Sequence, residues 1–213
     1  MPDPVKRPYD NSAREAASAA TRRRVLDAAR DLLVERGYRR TTVAAIAERA
    51  GVHTDTIYAL VGRKPVVLRE LIEQAVSGTD RAVTAEERDE VRALKAEPDA
   101  GRKLAIYAGA VRAIQERLAP LFLALRDASD TDAEARQVWE EIGRRRAANM
   151  RKLALELQGT GRLRPGLSID EAADTIWATN SSELYVLLTV DRGWSPERFE
   201  RWLADLWQRQ LLG

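Results

Sequence analysis

The 213-residue chain carries 35 Lys and Arg, 33 Asp and Glu, one His and no Cys, which excludes disulfides, thiol catalysis, Cys-based zinc sites and any His-rich metal centre. Charge is unevenly divided: residues 1–64 hold 13 basic and 8 acidic side chains, net +5, and residues 65–213 hold 22 and 25, net −3, a basic front that points to a polyanion partner. No apolar run approaches the roughly 20 residues a spanning helix needs, and Met1–Ala20 lacks the apolar core of a signal peptide, so a cytoplasmic protein without a membrane partner is expected.

The composition is rich in Ala, Leu, Arg and Glu and poor in alternating β-branched runs, so the fold class is all-α. Residues 1–21 read as a disordered arm. From Arg22, Val25, Ala28, Ala29, Leu32 and Leu33 form a helical stripe that Gly37 terminates. Thr42 N-caps a second helix containing Val43, Ile46, Ala47 and Ala50, and Gly51 stops it. A third short helix runs from about Thr54 to Leu60, and Gly62 breaks it.

Pro65 sits in the first turn of a fourth helix carrying Leu68, Leu71, Ile72 and Val76. Thr84 and Glu87 have capping-box spacing before a short helix through Leu94. A stripe of Leu104, Tyr107, Val111, Ile114 and Leu118 is closed by Pro120, and Leu121, Phe122 and Leu125 form a short piece after it. Asp132–Leu157 is the longest helix, ending at Gly159–Gly161. Ser168 and Glu171 form a second capping box, which opens one helix through Leu188. Ser195–Pro196 opens the last. The division is an arm at residues 1–21, a head at 22–64 and a helical body at 65–213.

Thr42–Tyr58 is the informative stretch. Two helices are joined by a short turn at Gly51, small Ala44, Ala45 and Ala47 permit close contact, and Val52 and Ile57 can pack back on Ile46. That is the layout of a helix-turn-helix with its second helix protruding towards a major groove. A generic αα-hairpin has the same spacing; the basic neighbours Arg39, Arg40, Arg49, Arg63 and Lys64 favour DNA.

Arg22 to Leu71 resembles the DNA-binding head of the TetR (tetracycline-repressor) family. The matching residues include Val25-Leu26-Asp27-Ala28-Ala29, Gly37-Tyr38, Thr41-Thr42-Val43, Ile46-Ala47, Ala50-Gly51-Val52, Thr56-Ile57-Tyr58, Lys64 and Leu68. The resemblance implies that Thr42, Tyr58 and Lys64 contact phosphates. It also implies that His53, Thr54, Asp55, Thr56 and Leu60 lie on or beside the groove-facing side of the third helix. Phosphate contacts set register and base edges set specificity, so the sequence preference would rest on His53 to Thr56. Family members commonly carry Ser, a small residue and Phe where this chain has His53, Asp55 and Val61. Asp55 repels phosphate unless it accepts from a cytosine amine or pairs with an Arg. His53 has two readings, a base contact or a helix cap. Arg22–Arg24 likewise either reach a groove or form a solvated helix start.

In the body, polar groups fall on apolar stripes, where each needs a hydrogen bond or water. The resemblance implies an effector cavity between the body helices. The residues expected to line it are Tyr107, Ile114, Phe122, Trp139, Arg146, Asn149, Trp177 and Asn180, with a satisfied core or a subunit interface as the alternative for each. The stripe of Phe199, Trp202, Leu203, Leu206 and Trp207, with Leu184 and Leu188, is more apolar than a terminal helix should expose, and resembles the family's homodimer interface.

A dimer would hold two recognition helices about 34–36 Å apart on a palindromic operator, and a small-molecule effector would release it. A regulator of this kind, most often a repressor, is the expected function. An effector-independent or architectural DNA-binding protein is the alternative. An enzyme is not expected: Glu140–Glu141 and Asp170–Glu171 are adjacent pairs that diverge on a helix, and no nucleophile–base pair, glycine-rich phosphate loop or metal spacing is present, so no cofactor is expected either.

Overall fold

A computed structural model describes residues 11–79, 83–84 and 87–213. Among these residues the chain forms ten α-helices, and it divides into two compact units, Met1–Val67 and Leu68–Gly213. No helix is long and apolar enough to cross a membrane among the described residues.

The first unit holds α1 (Asn11–Arg40), α2 (Val43–Ala50), α3 (Thr54–Leu60) and the start of α4 (Lys64–Ser77). Its core is the expected stripe: Val25, Ala29, Leu32 and Leu33 of α1 against Ile46 of α2 and Ile57 of α3, all buried. α1 begins well before the expected helix. Residues 11–21 are helical where a disordered arm was expected, while residues 1–10 of that arm lie outside the described residues. Five of residues 11–21 are Ala, the strongest helix former, and lengthening a helix already nucleated by a buried stripe is cheap. Ser12–Ala20 are all exposed, so this extension rests on propensity rather than packing.

Gly37 breaks α1 as expected. Its φ of 72° lies in the left-handed region that an L side chain rarely adopts. Gly51 (φ 66°) closes α2 in the same way, and the following Val52 N–H donates to the Ala47 carbonyl at 3.0 Å.

The second unit comprises the rest of α4, α5 (Asp89–Ala96), α6 (Ala100–Ser129), α7 (Ala133–Gly159), α8 (Ile169–Thr179), α9 (Ser182–Val186), a π-helical turn (Leu187–Asp191) and α10 (Pro196–Leu211). Its core joins Leu104, Ala108 and Val111 of α6 to Leu153 and Leu157 of α7, Ile176 of α8, and Phe199, Leu203, Trp207 and Leu211 of α10.

The caps at Ser168, with its Glu171 box, and at Ser195, with Pro196 behind it, are present as expected. Thr84 N–H donates to Glu87 Oε2 at 2.8 Å, but α5 starts only at Asp89. Pro120 does not end its helix; α6 runs through it to Ser129. A proline inside a helix costs roughly 3 kcal/mol. Here Pro120 is exposed while Leu118, Ala119, Leu121 and Phe122 on either side are buried, and their burial offsets that cost. The helix expected from Ser168 through Leu188 is broken instead. Asn180 ends α8 with non-helical φ/ψ, and the Ser181 hydroxyl accepts from Leu184 N–H at 3.1 Å to start α9.

Candidate functional site

The head presents α3 on a short scaffold. Thr42 caps α2 by accepting from Ala45 N–H at 3.1 Å, which leaves the start of the helix and the hydroxyl at the surface. In α3, buried Ile57 turns the helix so that His53, Asp55 and Tyr58 are exposed, with Thr54, Thr56 and Leu60 half-buried beside them. His53 occupies the N-cap position of α3, yet its side chain makes no capping bond, so a side-chain cap is not its role. Asp55 has no ion-pair partner among the described residues, so the pairing with a nearby Arg that would ease its charge is not made.

Lys64 does more than its sequence position suggests. Its Nζ donates to the carbonyls of Tyr38 and Thr41, 3.0 Å each, and lies 3.7 Å from the Tyr38 ring centroid. The ammonium thus closes the end of α1 and fixes the segment that leads to Thr42. Thr41 is buried beneath it, its hydroxyl directed at the carbonyls of Leu32 and Gly37. Arg22, one of the three arginines considered for groove contact, is half-buried and donates to the Leu60 carbonyl at 3.3 Å, closing α3 instead. Arg49 makes a two-pronged pair with Glu35, at 2.8 and 3.0 Å. Arg23, Arg39, Arg40 and Arg63 remain at the surface.

In the second unit a cavity of about 390 Å³ opens among α4, α5, α6, α7 and the α8–α9 break. Six of the eight residues expected to line it do so: Tyr107, Ile114, Phe122, Arg146, Asn149 and Asn180. Trp139 does not. It packs against Phe122 from behind, with ring centroids 4.6 Å apart. Trp177 does not either, because its ring lies under the Arg146 guanidinium at 4.8 Å and is 41% exposed.

One wall is apolar, with Ile72 and Val76 of α4, Leu118 and Phe122 of α6 and Ile142 of α7. Other lining residues form a hydrogen-bond network. Asn180 Nδ2 donates to the Tyr107 hydroxyl at 2.9 Å, and Gln115 Nε2 donates to Asn180 Oδ1 at 3.4 Å. Ser182 Oγ donates to Gln115 Oε1 at 2.8 Å, and the Tyr107 hydroxyl donates to Met150 Sδ at 3.2 Å. The Arg146 guanidinium donates to the main-chain carbonyls of Trp177 and Asn180, carbonyls that the end of α8 leaves without helical partners. Burial lowers Arg146 from the usual guanidinium value, and burial pushes the Tyr107 hydroxyl up to about 12. Tyr107 is therefore a neutral hydrogen-bond donor at any ordinary pH.

Gln115, Ser182, Met150 and Arg88 also line the cavity and were missed from the sequence. Gln115 and Ser182 are buried polar residues, and Gln115 sits next to Ile114 in the stripe, so polarity beside an apolar stripe was the available signal.

The expected interface residues separate into two groups. Phe199, Leu203 and Trp207 are wholly buried inside the protomer, where Trp207 stacks on Tyr107 and donates to Thr179 Oγ1 at 2.7 Å. They are core, and the apolar excess that suggested an interface is largely satisfied within the chain. Leu184, Leu188, Trp202 and Leu206 stay half-buried.

Residues 25–60 match the family described as bacterial regulatory proteins, tetR family. An HTH-type transcriptional regulator of Bacillus subtilis (strain 168), YvkB, is 39% identical over 69 residues, which are 32% of this chain and 36% of that protein. NalD of Pseudomonas aeruginosa, the secondary repressor of the MexAB-OprM multidrug efflux pump, superposes with a TM-score of 0.71 at 22% identity, over 91% of this chain and 98% of that one. FadR of B. subtilis, in complex with stearoyl-CoA, does so with a TM-score of 0.71 at 22% identity, over 88% and 98%. The structural likenesses extend the shared fold over both units, and the head supplies the sequence signature. The head is thus similar to that of bacterial regulatory proteins of the tetR family, and the body shares the fold of the two solved regulators.

Proposed function

We propose that this chain is a homodimeric transcriptional regulator, a repressor in its basal form, that holds a palindromic operator with two α3 helices and releases it when a small molecule fills the body cavity. The observation that carries this reading is the pairing of an α3 whose polar face stays uncovered with an apolar cavity closed by convergent polar groups. In this reading Thr42, Tyr58 and Lys64 hold phosphates, and His53, Thr54, Asp55 and Thr56 read base edges. The catalytic alternative lacks support: the Tyr107, Gln115, Asn180 and Ser182 side chains at the cavity are bonded to one another, with no nucleophile–base pair among them.

α4 supplies the link between ligand and DNA. It starts at Lys64, which closes α1, and continues as one helix to Ile72 and Val76 in the cavity wall. Arg69 and Glu73 on the same helix pair with Glu141 and Arg145 of α7, at 2.5 Å in each case. A ligand that shifts α7 would pull α4 with it. Release then requires that the ligand bind the DNA-free arrangement better than the DNA-bound one.

Selection of bound sites from random duplex DNA with the purified protein, read by sequencing, tests the function. A palindrome with half-sites about one helical turn apart is the expected result. Recovery of no motif at both low and moderate salt overturns it and leaves a non-specific binder.

A further inference from the structure

The charged side chains that line the cavity are either committed to a partner or exposed to water. Arg145 is paired with Glu73, and Arg146 is spent on two carbonyls and the Trp177 ring. Arg88 is largely buried beside Glu90, its Nη1 3.8 Å from that carboxylate, and Glu156 lies 3.7 Å from the Lys103 ammonium. Lys95 and Lys152 are exposed, where water competes for any ion pair and leaves it worth little. The remaining polar side chains of the lining are uncharged, and four of them, Tyr107, Gln115, Asn180 and Ser182, are bonded to one another. An ion drawn into this cavity gives up its hydration and finds no free counter-charge in return, a cost that an uncharged ligand avoids.

Asn149 is the fifth uncharged group, and it differs from the other four. It falls seven residues after Ile142 and four before Leu153, both buried, so the three share one face of α7. That place in the stripe ordinarily takes an apolar side chain. Asn149 is instead half-buried on the cavity lining, without a hydrogen-bond partner among the described residues. A carboxamide carries two N–H donors and a carbonyl acceptor, and here none of them is used within the protein. A ligand that displaces water from this amide must replace its hydrogen bonds or lose affinity.

We infer that the cavity takes an uncharged molecule, an apolar body bearing one amide-like group that both donates to and accepts from the Asn149 side chain, with the body against Leu118, Phe122 and Ile142. This rests on the effector-binding reading above and names the ligand class for it. Asn149 is then the specificity-determining residue. It selects a neutral group that has both a donor and an acceptor, and the apolar wall holds the rest of the molecule.

Four probes of similar chain length separate the possibilities: octanamide, methyl octanoate, octanoate and octylammonium, titrated calorimetrically into the full-length protein at neutral pH. Octanamide should bind about tenfold or more tightly than either ion, and about fivefold more tightly than the ester, which accepts a hydrogen bond but cannot donate one. Asn149→Leu, close in size and suited to the stripe, should erase the amide's advantage over the ester while the ester still binds, which also shows that the variant is folded. Binding of octanoate or octylammonium as tight as that of octanamide overturns the uncharged assignment and leaves the cavity standing as a ligand site. Equal binding of amide and ester, or an amide preference that survives Asn149→Leu, overturns the role of Asn149. Failure of all four probes to bind overturns both the assignment and the effector reading beneath it.

Discussion

The ammonium of Lys64 bridges the Tyr38 and Thr41 carbonyls and rests on the Tyr38 ring, so it works inside the head itself. Lys64→Ala should lower stability by about 1–2 kcal/mol, the scale of charge-assisted bonds in a partly solvated setting. Urea unfolding followed by tryptophan-independent helical signal measures this; an unchanged midpoint would leave Lys64 a phosphate contact alone. Tyr107 makes a pH prediction. Its folded pKa of about 12 exceeds the ordinary tyrosine value of about 10, so the native state holds the proton longer than the unfolded chain. Stability from this group is intact below about pH 10 and is lost as pH rises towards about 12, on the order of 2–3 kcal/mol in all. Tyr107→Phe should lack that fraction of the alkaline decline, read as the difference between the two proteins' unfolding free energies across that window. Parallel pH profiles would mean that the hydroxyl is hydrated. At this scale the sequence is partly legible: it shows which residues are polar on apolar stripes. Arg146 and Asn180 stood out for that reason, while Ser182 did not, because its place at the cavity depends on the break between α8 and α9.

At the scale of elements, α10 separates what a stripe suggests from where it is buried. Phe199, Leu203, Trp207 and Leu211 recur every four residues and vanish into the core against α6 and α8. Glu at Leu203 or Trp207 would therefore unfold the body rather than split a dimer. The exposed large apolar side chains nearby are Leu187 and Val190 in the π-helical turn, 50% and 69% exposed. With half-buried Leu184, Leu188, Trp202 and Leu206 they form the better candidate for the interface of the proposed homodimer. Leu187→Glu with Val190→Glu should give a monomer with native helix content by sedimentation and circular dichroism; a persisting dimer places the interface elsewhere. Capping residues announced α2, α8 and α10 because a cap is local chemistry between neighbours in sequence. The uninterrupted course of α6 through Pro120 and the break at Asn180–Ser181 were not announced, because core burial on either side decides the first and the hydrogen-bond network around Asn180 the second.

For the whole molecule, the sequence by itself determined the all-helical class, the helix-turn-helix and the resemblance of the head to the TetR family. Each follows from short-range rules: 3.6-residue periodicity, caps, and a glycine at a positive φ between two helices. Tertiary structure alone decided how the body's side chains are used. It turned Phe199, Leu203 and Trp207 inward, set Trp139 and Trp177 outside the cavity wall, and committed Arg145 to Glu73 and Arg146 to the carbonyls at the end of α8. The physical reason is range. A stripe fixes only that one face of a helix is buried, whereas the partner of that face, and the satisfaction of each polar group on it, depend on helices dozens of residues away, as Asn180 meeting Tyr107 and Gln115 illustrates.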